Sequence, residues 1–235
     1  MTTDTLAFVG AAGGVGTTRL TLECGTLLAG EGHDVAILDA AYATQGLADR
    51  THGRIDPDMT ALCLEEPPLE TALVDRDIDG AGRLATCPAR APFERLARAK
   101  TPEAAEAFER KIDEATRSFD HVLLDTPPVG ANQAIAAATA ADAVAVVCDA
   151  ARTEDAVPRM WDRLADIGVG DSTTVVTRTE AHPDAAATVP TFDADYPAVA
   201  VDTEARSAIA AVLEETVGID IDVEDGDGLR ERLPI

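Results

Sequence analysis

The residues with the clearest chemical potential lie close to the N-terminus. Gly10-Ala11-Ala12-Gly13-Gly14-Val15-Gly16-Thr17-Thr18-Arg19 follows the apolar run Leu6–Val9 and precedes the apolar stretch Leu20–Leu28. A glycine-rich turn between a strand and a helix suits the binding of a phosphate. Glycine lets successive N–H groups converge on one anion, and the helix N-terminus adds partial positive charge. Gly13, Gly14, Val15, Gly16, Thr17, Thr18 and Arg19 are therefore the candidate anion-binding residues. Other chemistries have weaker footing. Cys24, Cys63, Cys87 and Cys148 form no C-x-x-C pair and each sits in an apolar stretch. They read as buried thiols in a reducing compartment. His33, His52, His121 and His182 are scattered, without the spacing of zinc ligands.

The elements that would position this loop follow from hydrophobic spacing. Unalternating apolar runs predict strands at Leu6–Val9, Val35–Leu38, Arg83–Cys87, His121–Leu124, Val144–Cys148, Thr173–Thr177 and Ala198–Val201. Helical spacing occupies Pro102–Ser118, Glu154–Ile167 and Thr203–Thr216. Thr101 is a natural cap and Pro102 a natural first helical residue. On helix Pro102–Ser118, Glu106 and Arg110 have the spacing of an i,i+4 pair. Repeated strand, helix, strand predicts an α/β fold with a mostly parallel sheet and helices on both faces. One domain is expected over 1–217, with an acidic tail over 218–235.

With the loop and strands in place, the chain resembles the MinD/ParA family of P-loop ATPases. That family's loop reads Lys-Gly-Gly-x-Gly-Lys-Thr-Thr, and Ala12 to Arg19 align with it without gaps. The glycines are kept and both lysines are replaced. Ala12 stands where the signature lysine would cross a dimer interface. Thr17 stands where the loop lysine would hold the β- and γ-phosphates. The resemblance makes Thr18 and Asp125 the expected magnesium-side residues. Val35–Ala41 is similar to the second strand and switch I; Asp39 matches the first acid, and Ala41 replaces the second, which is associated with hydrolysis. Phe119–Pro128 is similar to the Walker B strand and switch II, bringing Asp125, Pro127 and Pro128. Thr177 and Arg178 end a strand where the family carries an adenine-contacting Asn. Arg19 is the nearest replacement cation, at a position where its side chain could point away from the phosphate.

A P-loop ATPase with these losses is expected to bind ATP or ADP with magnesium weakly and to hydrolyse poorly, as a pseudo-ATPase. The resemblance implies a positioning or scaffold role in cell division, polarity or motility, working with a protein partner. Two alternatives stand beside it: a working ATPase switch with an unusual loop, and a ParA-type DNA-partitioning protein. Asp39 and Asp125 would be the catalytic acids of an active enzyme. Switch II carries no cysteine, which argues against the iron–sulfur branch of the fold.

Composition narrows the setting. The 235 residues carry 43 acidic and 19 basic side chains, a net charge of −24. Only Lys100 and Lys111 are lysines. Such a surface disfavours contact with DNA phosphates and with anionic membranes. It resembles proteins of a salt-loaded, haloarchaeal cytoplasm, where carboxylates keep the surface hydrated and salt screens their repulsion. Segment 83–117 is locally positive, with eight basic residues against six acids. The expected location is cytoplasmic, because the N-terminus lacks a secretory pattern. The C-terminal residues make a poor membrane helix. The sequence leaves monomer and homodimer equally open.

Overall fold

The computed structural model describes residues 4–223. Fifteen main elements alternate along them. They are β1 (Asp4–Gly10), α1 (Thr17–Gly30), β2 (Asp34–Asp39), α2 (Met59–Glu65), β3 (Val74–Arg76), β4 (Arg83–Cys87), α3 (Phe93–Arg98), α4 (Pro102–Ala115), β5 (His121–Thr126), α5 (Asn132–Ala140), β6 (Ala143–Asp149), α6 (Thr153–Asp166), β7 (Thr173–Thr177), β8 (Ala187–Val189) and α7 (Thr203–Val217). The strands form one sheet in the order β3-β4-β2-β5-β1-β6-β7-β8. All neighbours are parallel except β3, which runs antiparallel to β4.

Burial explains why the apolar runs become strands. Every residue of β5 is buried, as are all of β2 after Asp34 and all of β6 after Ala143. A strand hidden on both faces needs helices on both sides. On one side α1 packs with α7; on the other α4 packs with α2 and α5. Central register sets Asp39 and Phe8 on either side of Asp125. The C-terminal ends of β1, β5 and β6 thus open at one edge, where parallel sheets place their ligands.

Several local expectations hold at the atomic level. The Ala104 N–H donates to the Thr101 hydroxyl, and Pro102 opens α4. Asp202, which the spacing did not single out, also caps α7 by accepting the N–H groups of Glu204 and Ala205. All four cysteines are free and buried. Other expectations are corrected. Ala198–Val201 is no strand; Ala198–Ala200 is a single 3-10 turn. The N–H groups of Ala198 and Val199 donate to the buried Glu23 carboxylate, at 3.0 and 3.1 Å, and not to a neighbouring strand. Arg110 pairs with Glu66, the two drawn together by the α2–α4 packing, and not with Glu106. Past α7, Ile221 is buried and Ile219 and Val223 pack on the core; residues 224–235 of the expected acidic tail lie outside the described residues.

Candidate functional site

The loop between β1 and α1 lies over the C-terminal edge of the sheet. Gly14 and Gly16 hold φ of 76° and 94°, a region costly for side chains with a Cβ. Gly16 begins α1 with no side-chain cap, and the first turn carries no acid. The first N–H groups of the helix therefore remain available to an anion.

The loop's carbonyls are held from outside. Arg152 Nη1 donates to the Gly13 carbonyl at 2.9 Å, and Arg178 Nη2 to the Gly14 carbonyl at 2.7 Å. The Thr177 hydroxyl donates to the Val15 carbonyl at 2.7 Å. In a trans peptide, C=O and the following N–H point in opposite directions. Pinning three successive carbonyls outward turns the N–H groups of Gly14, Val15 and Gly16 the other way. Those three amides meet no protein acceptor among the described residues. The result is a concave row of donors.

Asp149 organises this clamp. Its carboxylate accepts from Arg152 Nε at 3.0 Å and from Arg178 Nη1 at 3.1 Å. The Arg152 hydrogen bond, with the charges of both arginines, holds the Asp149 carboxyl below its ordinary range despite partial burial.

Beneath the loop is a cavity of about 330 Å³. Its wall includes Gly13–Arg19, Ala41, Gly46, Arg50, Asp125, Pro127, Pro128 and Arg178. Asp125 is 1% exposed, and its Oδ2 has no hydrogen-bond partner among the described residues. Burial pushes Asp125 up to about 6, opposed by a hydrogen bond from the Thr18 hydroxyl and by the charge of Arg50. A buried carboxylate oxygen left unpaired beside a hydroxyl suits a hard cation. Magnesium typically takes one or two carboxylates plus phosphate oxygens. Among the described residues no three His, Cys, Asp or Glu side chains gather into a metal cluster. Thr18 and Asp125 would hold the ion, and the ion would neutralise phosphate charge.

A second hollow of about 250 Å³ joins the first at Val15, Gly16, Arg19, Arg50 and Arg178. Leu20, Val189, Pro190, Phe192 and Ile209 give it apolar walls. Together the two hollows offer an anion seat beside a slot for a flat, partly apolar group.

A family model described as an AAA domain matches residues 3–169, well over half of the chain. The chain belongs to this family. Its fold is that of the MinD and ParA P-loop ATPases. The cell division ATPase MinD of Pyrococcus furiosus superposes with a TM-score of 0.71 at 18% identity, covering 92% of this chain and 98% of that one. Cobyrinic acid a,c-diamide synthase of Mycobacterium smegmatis, with a bound ATP analogue and magnesium, gives 0.67 at 21%, covering 90% and 95%. The MinC:MinD cell division complex of Aquifex aeolicus gives 0.66 at 21%, covering 94% and 98%. The sequence matches no curated protein.

Within this AAA domain the structure sorts the candidate residues. Gly13, Gly14, Val15, Gly16, Thr17, Thr18, Asp125, Pro127 and Pro128 line one cavity. Thr17 sits tight against β1, since a Cβ on Gly10 would come within 2.8 Å of its hydroxyl. Asp39 is fully buried and does not line the cavity. Its oxygens accept the N–H groups of Ala41 at 2.7 Å and Ala89 at 3.0 Å, so it braces the ends of β2 and β4. Burial and the neighbouring Asp125 push it up to about 8. Thr177 and Arg178 reach the second hollow, but their hydrogen bonds go to the loop and Asp149.

Arg19 lines the cavity yet is committed elsewhere. Its Nε donates to Glu23 at 2.5 Å and its Nη2 to the Ala194 carbonyl at 3.1 Å. Its guanidinium lies 5.9 Å from the Tyr196 ring, and that of Arg76 lies 5.1 Å from it. The Tyr196 hydroxyl is 2.8 Å from that of Thr26 on α1. Sequence reasoning missed Arg50, Arg152, Asp149 and the Val189–Phe192 wall. For Asp149 and Arg152 the signal was available: they follow a buried strand at the edge where parallel sheets bind ligands. Among the described residues no helix is long and apolar enough to cross a membrane.

Proposed function

We propose that the protein is a MinD-like nucleotide-binding switch with a degenerate loop. It binds ATP or ADP with magnesium weakly, hydrolyses slowly or not at all, and recruits a protein partner in division, polarity or motility. The outward pinning of the Gly13, Gly14 and Val15 carbonyls carries this reading. It leaves a donor row that needs no lysine to attract phosphate. Thr18 and Asp125 supply the cation side, and the apolar hollow by Phe192 receives the base.

The same chemistry argues for slow turnover. Phosphoryl transfer rests on positioning and on neutralising charge at the terminal phosphate. No lysine lines the cavity, and Ala41 stands at its wall where an acid would be needed. A lost charge-assisted hydrogen bond costs about 1.5–3 kcal/mol. The MinC:MinD complex offers the precedent for a protein partner. The net charge of −24 supports a salt-rich working medium, since salt screens the repulsion among the carboxylates.

Calorimetry with Mg-ATP and Mg-ADP in concentrated potassium chloride tests binding, and phosphate release tests turnover. Weak binding without release is the expected result. Turnover that disappears in Asp125→Ala would overturn the non-hydrolysing reading. No binding of either nucleotide would overturn the switch itself.

A further inference from the structure

Three arginines line the anion cavity: Arg19, Arg50 and Arg178. Arg19 is paired with Glu23, and Arg178 with Asp149. Arg50 is the one with no carboxylate ion pair among the described residues. Its Nη1 donates only to the Gly46 carbonyl, at 3.1 Å.

Gly46 fixes where that guanidinium sits. A Cβ on Gly46 would lie 3.1 Å from the Thr18 hydroxyl oxygen, so the loop after β2 lies directly against the magnesium-side hydroxyl. Arg50 is thus one hydrogen bond removed from the residue that touches Thr18. The turn that carries it is well anchored. Leu47 and Ala48 are buried, the Arg50 N–H donates to the Leu47 carbonyl, and Arg76 Nη2 donates to the Arg50 carbonyl at 2.9 Å. Across the cavity stands the unpaired, buried Oδ2 of Asp125. The backbone beneath Arg50 is held while its side chain keeps donors to spare, the state expected of a phosphate-binding arginine before its ligand arrives.

We propose that Arg50 is the cation that meets the terminal phosphate of a nucleoside triphosphate, entering from the loop after β2. This rests on the nucleotide-binding reading above and adds to it. A diphosphate is held by the loop amides and α1, whereas the third phosphate is sensed by Arg50. The protein thereby distinguishes tri- from diphosphate without cleaving either.

The test is calorimetry on the full chain in concentrated potassium chloride with magnesium, using ATP and ADP. Wild type is compared with Arg50→Ala and Arg50→Lys. Arg50→Ala is expected to lose about 10- to 100-fold in ATP affinity, as for one charge-assisted hydrogen bond, and less than about threefold for ADP. Arg50→Lys is expected to keep an intermediate preference, since it restores charge without the planar fork. Equal losses for both nucleotides, or none, overturn the role of Arg50. A wild type that binds ADP and ATP alike also overturns it, while leaving nucleotide binding intact. A wild type that binds neither overturns the underlying reading and this one together. If Arg50→Ala does not fold, Arg50→Gln, which removes charge and keeps a donor, serves the same comparison, with melting-temperature protection by inorganic triphosphate against pyrophosphate as readout.

Discussion

Replacing Asp125 by Asn should stabilise the ligand-free protein, and by more as the pH rises. Asp125 is 1% exposed, and burial lifts its carboxyl from 3.8 to about 6. The folded state therefore holds a proton that the unfolded chain has already released. Stability from this group is full below about 3.8 and falls as the pH climbs through about 6. The rise corresponds to about 3 kcal/mol. Asn is close in shape to the protonated acid and carries no charge at any pH. The variant should be more stable than wild type by about 3 kcal/mol at pH 8, and by about half of that at pH 5. Asp39, raised to about 8 partly by the charge of Asp125, changes in the same sense once that charge is gone. Urea unfolding at fixed, high potassium chloride measures the difference. The 42 other acids are common to both proteins and largely cancel in the comparison. A gap that stays constant from pH 5 to pH 8, or a variant weaker than wild type at pH 8, would refute the picture of a desolvated carboxylate with one oxygen left without a partner. Mg-ATP should narrow the gap, because only the wild type offers the ion a carboxylate.

Further expectations concern neighbouring parts of the site. Asp149→Ala frees Arg152 and Arg178 from their shared carboxylate, and anion affinity should drop about tenfold while the melting temperature changes little; unchanged affinity in calorimetry would count against the clamp. Glu23→Ala strands Arg19 and two N–H groups of the Ala198 turn, and should cost about 3–5 kcal/mol in urea unfolding; a cost under about 1 kcal/mol would dismiss Glu23 as an anchor. Gly46→Ala places a Cβ 3.1 Å from the Thr18 hydroxyl oxygen. It should weaken nucleotide binding more in the presence of magnesium than in its absence, and the reverse order in a titration would be evidence against Thr18 as a magnesium-side group.

How far the sequence could be read depended on burial and on chain separation. Arg83–Cys87 and Thr173–Thr177 form strands at the bounds their apolar runs suggest, because strands hidden on both faces have no polar face to blur them. Edge strands β3 and β8, of three residues each, carry too short a pattern to stand out. Ala198–Val201 misleads because the N–H groups of its two buried residues, Ala198 and Val199, are met by a carboxylate on α1 and not by a ladder. The glycine loop is visible as a local motif. Its clamp is not, since Arg152 reaches Gly13 across 139 positions and Arg178 reaches Gly14 across 164. Arg19, the nearest replacement cation, is engaged for a local reason: Glu23, one helical turn on, lies buried on the same face and pairs with it.

The contacts of the Tyr196 ring with the guanidinium groups of Arg19 and Arg76 give the molecule a built-in optical probe. The chain has two tyrosines and one tryptophan. Tyr42 is sealed in the core, and Trp161 is on α6 and lines neither ligand hollow. Among the described residues, Tyr196 is the one of the three whose ring meets the guanidinium of Arg19, an arginine that lines both hollows. Ligand-induced changes in near-ultraviolet tyrosine absorbance would therefore originate at one ring, without labels and without mutating the site.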